Sequence, residues 1–459
     1  MSAKNKKIVL KKDNLIKKLV FLAIAIFVLK IFIIYNIGEI NFNLGNDQFV
    51  KINGIWLGAD GENYLKGYQA LVQDGVFAKE AILNYWPAGY PLFLLLLSLL
   101  GKSWVLTTLS IVQSIVFTYA SYFFTKQLLA TKLRNIARPV LILLILNPTL
   151  SLSSLVIGYE SLVASGILIC AGLIVKDFIE KNNSKLKIYL LHYSWISGFI
   201  IFIQPRFIVS LILVMVFWVI IRIGLKFGVV TIVLSLVLIL LMPATLIYRN
   251  NQATGINSIS TNLGTTMNIG AGANATGGYD DKNIGVGCNV SGSVSQQDSQ
   301  KVKCVLTWYL ENPVTSAKLF YNKSVYFWSP WSGPLAEGTM ARNPWSKINP
   351  LTNIASIPAG SNLVYGNFGK ITSWLWILAG MYLLFTGFYK LWKIGGVERI
   401  LSVVAGFTIG SNWLITLITI GDHRFRVPIM GLSLFVQGVG FVATFNRKAL
   451  QIAPVGPLR

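Results

Sequence analysis

Ionisable side chains are scarce in this chain, and the few that border apolar runs are the default places for chemistry, because charge next to hydrocarbon is costly to keep. Asp60 and Glu62 stand in GIWLGADGENYLKGYQALVQDG. From Tyr64 onward apolar residues recur at helical spacing (Tyr64, Leu65, Tyr68, Leu71, Val72), so Asp60 falls just before a helix. An acid there caps the helix and meets a favourable dipole. The same carboxylate suits a general base that takes a proton from a hydroxyl, with Glu62 assisting. If a divalent cation (Mg or Mn) takes part, Asp60 and Glu62 are its ligands; otherwise no metal site is visible. His192 and His423 are the only histidines, which excludes a histidine-rich centre.

A second group of charges lies near the end of the chain, in TIGDHRFRVPIMGL. Guanidinium forks match phosphate oxygens in bidentate geometry, so Arg424 and Arg426 are candidate phosphate ligands, and Arg206 in FIQPRFIV joins them. The competing reading is that such arginines snorkel toward water. Glu160, in GYESLV, opens an apolar run and serves either as a helix cap or as a second acid. Tyr64, Tyr90 and His423 are supporting candidates. Pro87 and Pro91 bracket Gly89 and Tyr90, which makes LNYWPAGYPLF a sharp turn. No Walker loop, Rossmann glycine fingerprint, H-E-x-x-H or C-x-x-C is present, so nucleotide machinery is not visible.

The elements that must position these residues are membrane spans. Of the 459 residues 54% are hydrophobic and 12% charged, where soluble domains carry roughly a quarter charged. Runs of about twenty apolar residues cross a ~30 Å core as helices. The fold class is therefore an all-α polytopic membrane protein of about ten transmembrane helices. The runs lie at 19–38, 104–124, 139–155, 160–175, 188–204, 206–221, 228–247, 371–389, 400–420 and 427–445. With the N-terminus cytoplasmic, the inside segments hold 23 of the 40 Lys and Arg, but only Asp13, Asp177, Glu180 and Glu398 among the acids. That is the positive-inside bias, so the net charge of +23 reports topology and lipid contact rather than a nucleic-acid partner.

The organisation that follows is a basic cytoplasmic tail over 1–18, with the run to Ile34 an uncleaved signal-anchor. Spans follow over 19–248, with a first extracytoplasmic loop at 39–103. A large extracytoplasmic loop covers 249–370, and the C-terminal spans cover 371–459. Together the two loops form a small cap. Pro91–Leu100 is too short to cross and lies at the outer boundary. Residues 251–300, rich in Gly, Asn, Ser and Thr, read as a mobile coil or lid, and 303–331 as an amphipathic interfacial helix. Cys170 is a packed small residue; Cys288 and Cys304 share the large loop, where a disulfide is permitted.

In this order the motifs resemble those of the polytopic C-type (GT-C) glycosyltransferases, the superfamily of protein O-mannosyltransferases, lipid A aminoarabinose transferases and related bacterial membrane sugar transferases. Asp60-Gly61-Glu62-Asn63-Tyr64, running to Asp74-Gly75, is similar to the family's first-loop acid and tyrosine. Pro87-Ala88-Gly89-Tyr90-Pro91-Leu92-Phe93, followed by Gly101, is similar to its P-x-G-Y-P-L-F turn. Asn147-Pro148 with Glu160-Ser161, and Arg424-Phe425-Arg426 with Pro428, resemble its later elements. The separation of Asp60 from Glu62 by Gly61 departs from the adjacent acids of many members.

The resemblance implies an inverting transferase in the cell (inner or plasma) membrane, with its active site extracytoplasmic. It would move a sugar from a polyprenyl-phosphate donor to a hydroxyl on a glycan, lipid or protein acceptor, with Asp60 as base. Two other readings compete: a flippase or transporter of lipid-linked sugars, and an oligosaccharide polymerase or ligase.

Overall fold

The computed structural model describes residues 3–36, 40–43, 49–52, 54–57, 60–279, 285–328 and 366–445. Helix α1 (Ala3–Asn36) leads to a short antiparallel hairpin, β1 (Ile40–Asn43) and β2 (Phe49–Ile52), and then to the two-residue strand β3 (Trp56–Leu57). The first loop continues with α2 (Gly61–Asp74), the single turn α3 (Ile82–Tyr85) and α4 (Gly89–Ser98). Next come α5 (Val105–Leu128), α6 (Ala137–Leu146), α7 (Pro148–Leu152), strand β4 (Val156–Ile157), α8 (Glu160–Glu180), α9 (Asn183–Ile203) and α10 (Ile208–Thr254). The second loop carries α11 (Leu263–Ile269), α12 (Val294–Glu311) and α13 (Pro313–Trp328). Three helices close the chain: α14 (Gly366–Ile394), α15 (Val397–Ile418) and α16 (Met430–Phe445).

The protein is an all-α polytopic membrane protein. Among the described residues seven helices are long and apolar enough to cross a bilayer, or eight if the bent pair α6–α7 counts as one span. The first and eighth expected runs fall on α1 and α14, helices of 34 and 29 residues. α10 divides where the sequence places an inside loop: Gly224 turns the chain at φ 77°, separating Pro205–Lys226 from Gly228–Thr254. α8 is the central helix, buried along nearly its whole length between α5, α9 and the end of the chain.

Three expectations change. The third run, 139–155, is not a straight helix. It bends by 60° between α6 and α7, because Pro148 has no N–H to donate and the Asn147 side chain instead accepts from Leu150 N at 2.9 Å. A buried lysine from α1 braces the C-terminal end of α7. Lys30 Nζ donates to Ser151 O at 2.9 Å and Ser154 Oγ at 2.7 Å, and lies 4.4 Å from the centre of the Phe117 ring.

Residues 251–300 are not a coil throughout. Met267, Ala271, Val305, Tyr309 and Leu319 form a small core of their own. Asn268 Oδ1 accepts from Val286 N at 2.9 Å, Asp298 Oδ1 from Gly264 N at 2.7 Å, and Cys288 is bonded to Cys304. Polar side chains that composition assigns to solvent are spent on the backbone. The single amphipathic helix expected at 303–331 is two helices, broken at Asn312–Pro313; its last three residues lie outside the described set.

The turn through Gly89 has a packing reason. A Cβ at Gly89 would collide with the backbone carbonyl of Phe202 in α9, so α4 sits on α9 only because residue 89 has no side chain. Gly89→Ala forces that interface apart and should cost about 1–3 kcal/mol, read as a lower melting temperature of the detergent-solubilised protein.

Candidate active site

Two short strands bring the first loop to the start of α8. β3 pairs with β4 in parallel, with Trp56 opposite Val156 and Leu57 opposite Ile157. Because the register is parallel, the residues three positions beyond each strand also end up as neighbours. They are Asp60 and Glu160. The long α15 and the 3-10 turn His423–Ile429 then deliver Arg424 between them. An Arg424 Nη donates to Asp60 Oδ2, across 364 residues of sequence. Arg424 Nε lies 3.3 Å from Glu160 Oε1, at ion-pair distance but not aligned as a hydrogen bond.

The local backbone explains why the groups are held so firmly. Asp60 is the N-cap residue of α2, yet its carboxylate makes no capping bond. The capping explanation therefore fails for this side chain, which goes to Arg424 instead. Asp422 caps the turn that follows it, accepting from Arg424 N at 2.8 Å. Lys323 in α13 donates to the carbonyls of Leu417 (2.9 Å) and Thr419 (2.5 Å) at the end of α15 and to Tyr309 Oη (2.7 Å). Gly421 N donates to Gly277 O at 2.8 Å, so the second loop grips the segment that carries Arg424. Lys323 is fully buried, and the loss of hydration brings its ammonium down to about 7.

Three tyrosines wall the cluster. Tyr64 and Tyr90 pack with ring centroids 4.7 Å apart. The Tyr90 hydroxyl accepts from Gly158 N at 2.9 Å and donates to Gln113 Oε1 at 3.4 Å. Gln113 in turn donates to Ser154 O (3.2 Å) and Val156 O (2.9 Å), fixing β4. Tyr159 lies near enough to Arg424 to feel its charge. Burial, and then the Asp60 carboxylate, push the Tyr64 phenol well above its ordinary value. Burial raises Tyr90 and Tyr159 as well, with Arg424 pulling Tyr159 part of the way back. All three stay neutral hydroxyls at physiological pH, so the charge of the site rests on Asp60, Glu160 and Arg424.

That charge decides what the site can do. With both carboxylates ionised the trio carries one net negative charge in a nearly water-free setting, which burial disfavours. Asp422 and Arg206 also act on Arg424 by their charges. Of the two acids, Asp60 is the more open, at 14% side-chain exposure against 4% for Glu160.

The other expected site residues are placed as follows. Arg206 stacks on the ring of Phe425, with its guanidinium 3.8 Å from the centroid. Its Nε donates to Asn412 Oδ1 at 3.0 Å, and its Nη2 to Thr416 Oγ1. Arg426 donates to Trp328 O at 3.3 Å, with its guanidinium 6.0 Å from that residue's ring centre. His423 is buried, with Nδ1 3.7 Å from Asp422 Oδ1. Glu62 is not brought to the site. Two residues beyond Asp60 on a helix, it faces the other way, is exposed, and pairs with Lys66 at 3.7 Å. Asp60 and Glu62 thus lie on different sides of the start of α2.

Tyr159, Gln113, Asn412 and Lys323 were not singled out by sequence, and Phe425 entered only as the middle residue of Arg424-Phe425-Arg426. Of these only Tyr159 carried a signal, as the neighbour of Glu160. Comparison of the chain with protein-family models, with curated proteins and with solved structures finds no match.

Proposed function

We propose that this chain is a membrane glycosyltransferase that moves a sugar from a polyprenyl-phosphate donor to an acceptor hydroxyl with inversion. The observation that supports it most is the meeting of Asp60 with Arg424, two groups at opposite ends of the sequence that make no capping or snorkelling use of their charge. In the reaction the acceptor oxygen attacks the anomeric carbon. Its proton passes to the Asp60 carboxylate, and the bond from that carbon to the phosphate oxygen breaks on the opposite face. The phosphate leaves with the electron pair, so the product stereochemistry is inverted.

The charge count links these events. Once protonated, Asp60 loses much of its hold on Arg424. The guanidinium then turns its donors to the phosphate as that group gains charge. Arg426, two residues on, is the second candidate for that phosphate. Arg206, held by Asn412 and Thr416, supports Phe425 between them. Glu160 stays behind as the fixed partner that keeps Arg424 in place, and Tyr159 and Tyr64 offer neutral donors to sugar or phosphate oxygens.

The test is to reconstitute the purified protein in vesicles with radiolabelled polyprenyl-phosphate sugars and extracted envelope lipids, glycans and proteins. Transfer of label from lipid to acceptor supports the reading. Movement of intact donor across the bilayer with no new glycosidic bond favours the flippase alternative. The broken span α6–α7 and the buried Lys30 are the features that favour that alternative, since transporters use such breaks. Here, however, the Lys30 ammonium is bonded to Ser151 and Ser154, which suits a fixed brace better than a moving part.

The proposal also puts the site on the extracytoplasmic face of a cell membrane, with the N-terminus cytoplasmic. Single cysteines introduced at Asn274 and Thr131 should be labelled by an impermeant maleimide from opposite faces of sealed membranes. The native cysteines give little background, since Cys170 is buried and Cys288 is bonded to Cys304. Labelling of both positions from one face would break the topology.

A further inference from the structure

We propose that Arg134 and Arg138 hold the phosphate of an anionic lipid headgroup, at a site reached from the first loop by passing along the whole of α5. Arg134–Ile136 form a 3-10 turn that runs directly into α6, so Arg138 lies one helical turn beyond Arg134 on the same face. Arg134 Nη2 and Arg138 Nε are closed off from solvent and have no hydrogen-bond partner among the described residues. A buried charged donor with no acceptor is strongly disfavoured, and the planar fork of a guanidinium fits the oxygens of a phosphate.

Among the described residues no acid pairs with either guanidinium. Glu398 reaches this loop, but its Oε1 accepts from the backbone N of Lys132 at 2.7 Å, and Lys132 Nζ donates to Ile394 O at 3.2 Å. The end of α14 and the start of α15, tied to this loop by these bonds, also carry Lys390, Lys393 and Arg399. The patch is left strongly positive.

The source of the phosphate follows from what lies next along α6. Ile142 (40% exposed), Leu143 (40%) and Leu146 (65%) form an exposed apolar strip that begins one turn past Arg138. A headgroup phosphate on the two guanidinium groups places its acyl chains along that strip. A free phosphate ion has no use for it.

The experiment follows the melting temperature of the full-length protein in detergent as phosphatidylglycerol, phosphatidylcholine or sodium phosphate is added. Phosphatidylglycerol should stabilise at concentrations well below those needed for phosphatidylcholine, and inorganic phosphate should do nothing at matched concentration. Arg134→Gln with Arg138→Gln should weaken that preference by about fivefold per arginine. Equal effects of the two lipids, an undiminished preference in the double variant, or stabilisation by inorganic phosphate alone would each overturn the assignment. Since the double variant can fail to fold, a phosphatidylglycerol carrying a photoactivatable acyl chain is also applied to the unaltered protein. Labelling should concentrate on residues 139–146; labelling spread evenly over the other spans sinks the proposal.

Discussion

Asp60→Asn should lower sugar transfer by about 10²- to 10⁴-fold, the usual worth of a positioned general base. The substitution keeps the shape of the side chain and leaves an amide oxygen for Arg424 to bond, so the protein should still insert and melt near the parent temperature. It removes the one thing an amide cannot do, which is to accept and keep a proton. Because the loss is in the chemical step, kcat should fall while donor KM changes little. The same substitution also changes the charge count, taking the trio from net negative to neutral. A purely structural role for Asp60 would therefore leave transfer intact or raise stability. A variant that folds and transfers sugar at the parent rate would remove Asp60 from the mechanism. Glu62→Gln is the internal comparison, since its carboxylate faces Lys66 and solvent; it should retain transfer within about twofold, as exposed pairs of this kind contribute little.

What the sequence made legible here was scarcity. Asp60, Glu160 and Arg424 stand out because charge beside apolar runs has few innocent uses, and the structure brings those three together. The spans were legible for a related reason: a run of about twenty apolar residues has one stable form in lipid. Other features had no such signature. β3 and β4 are two residues each, too short for any periodicity, although their parallel register is what sets residue 60 beside residue 160. Glu62 looked like a partner of Asp60 because it is close in sequence, but a helix turns residues two apart to different sides. Lys323 sits among Asn, Tyr and Ser in a stretch that reads as an interfacial helix. Its burial against the end of α15 depends on a contact with residues about a hundred positions away. The bend at Asn147–Pro148 was readable from the proline, but the brace that Lys30 gives the end of α7 was not.

Arg424→Met should be the most damaging single change to folding, because it strands two carboxylates in a buried space. Breaking a buried pair by deleting one partner costs about 3–5 kcal/mol, most of it the price of the charge left behind. Here two acids are left behind, and they also repel each other. The test of this account is rescue rather than loss. In Arg424→Met with Glu160→Gln one of the stranded charges is gone, and the more open Asp60 remains to be hydrated. The double variant should recover much of the lost melting temperature, giving a coupling of at least about 1 kcal/mol in a double-mutant cycle. Transfer should not recover with it, since the donor phosphate has lost its guanidinium. Recovery of both stability and transfer would mean that Arg424 serves only to neutralise the acids. Failure to recover stability would mean that its contacts with Tyr159 and the turn at Asp422, not the carboxylates, are what the fold depends on.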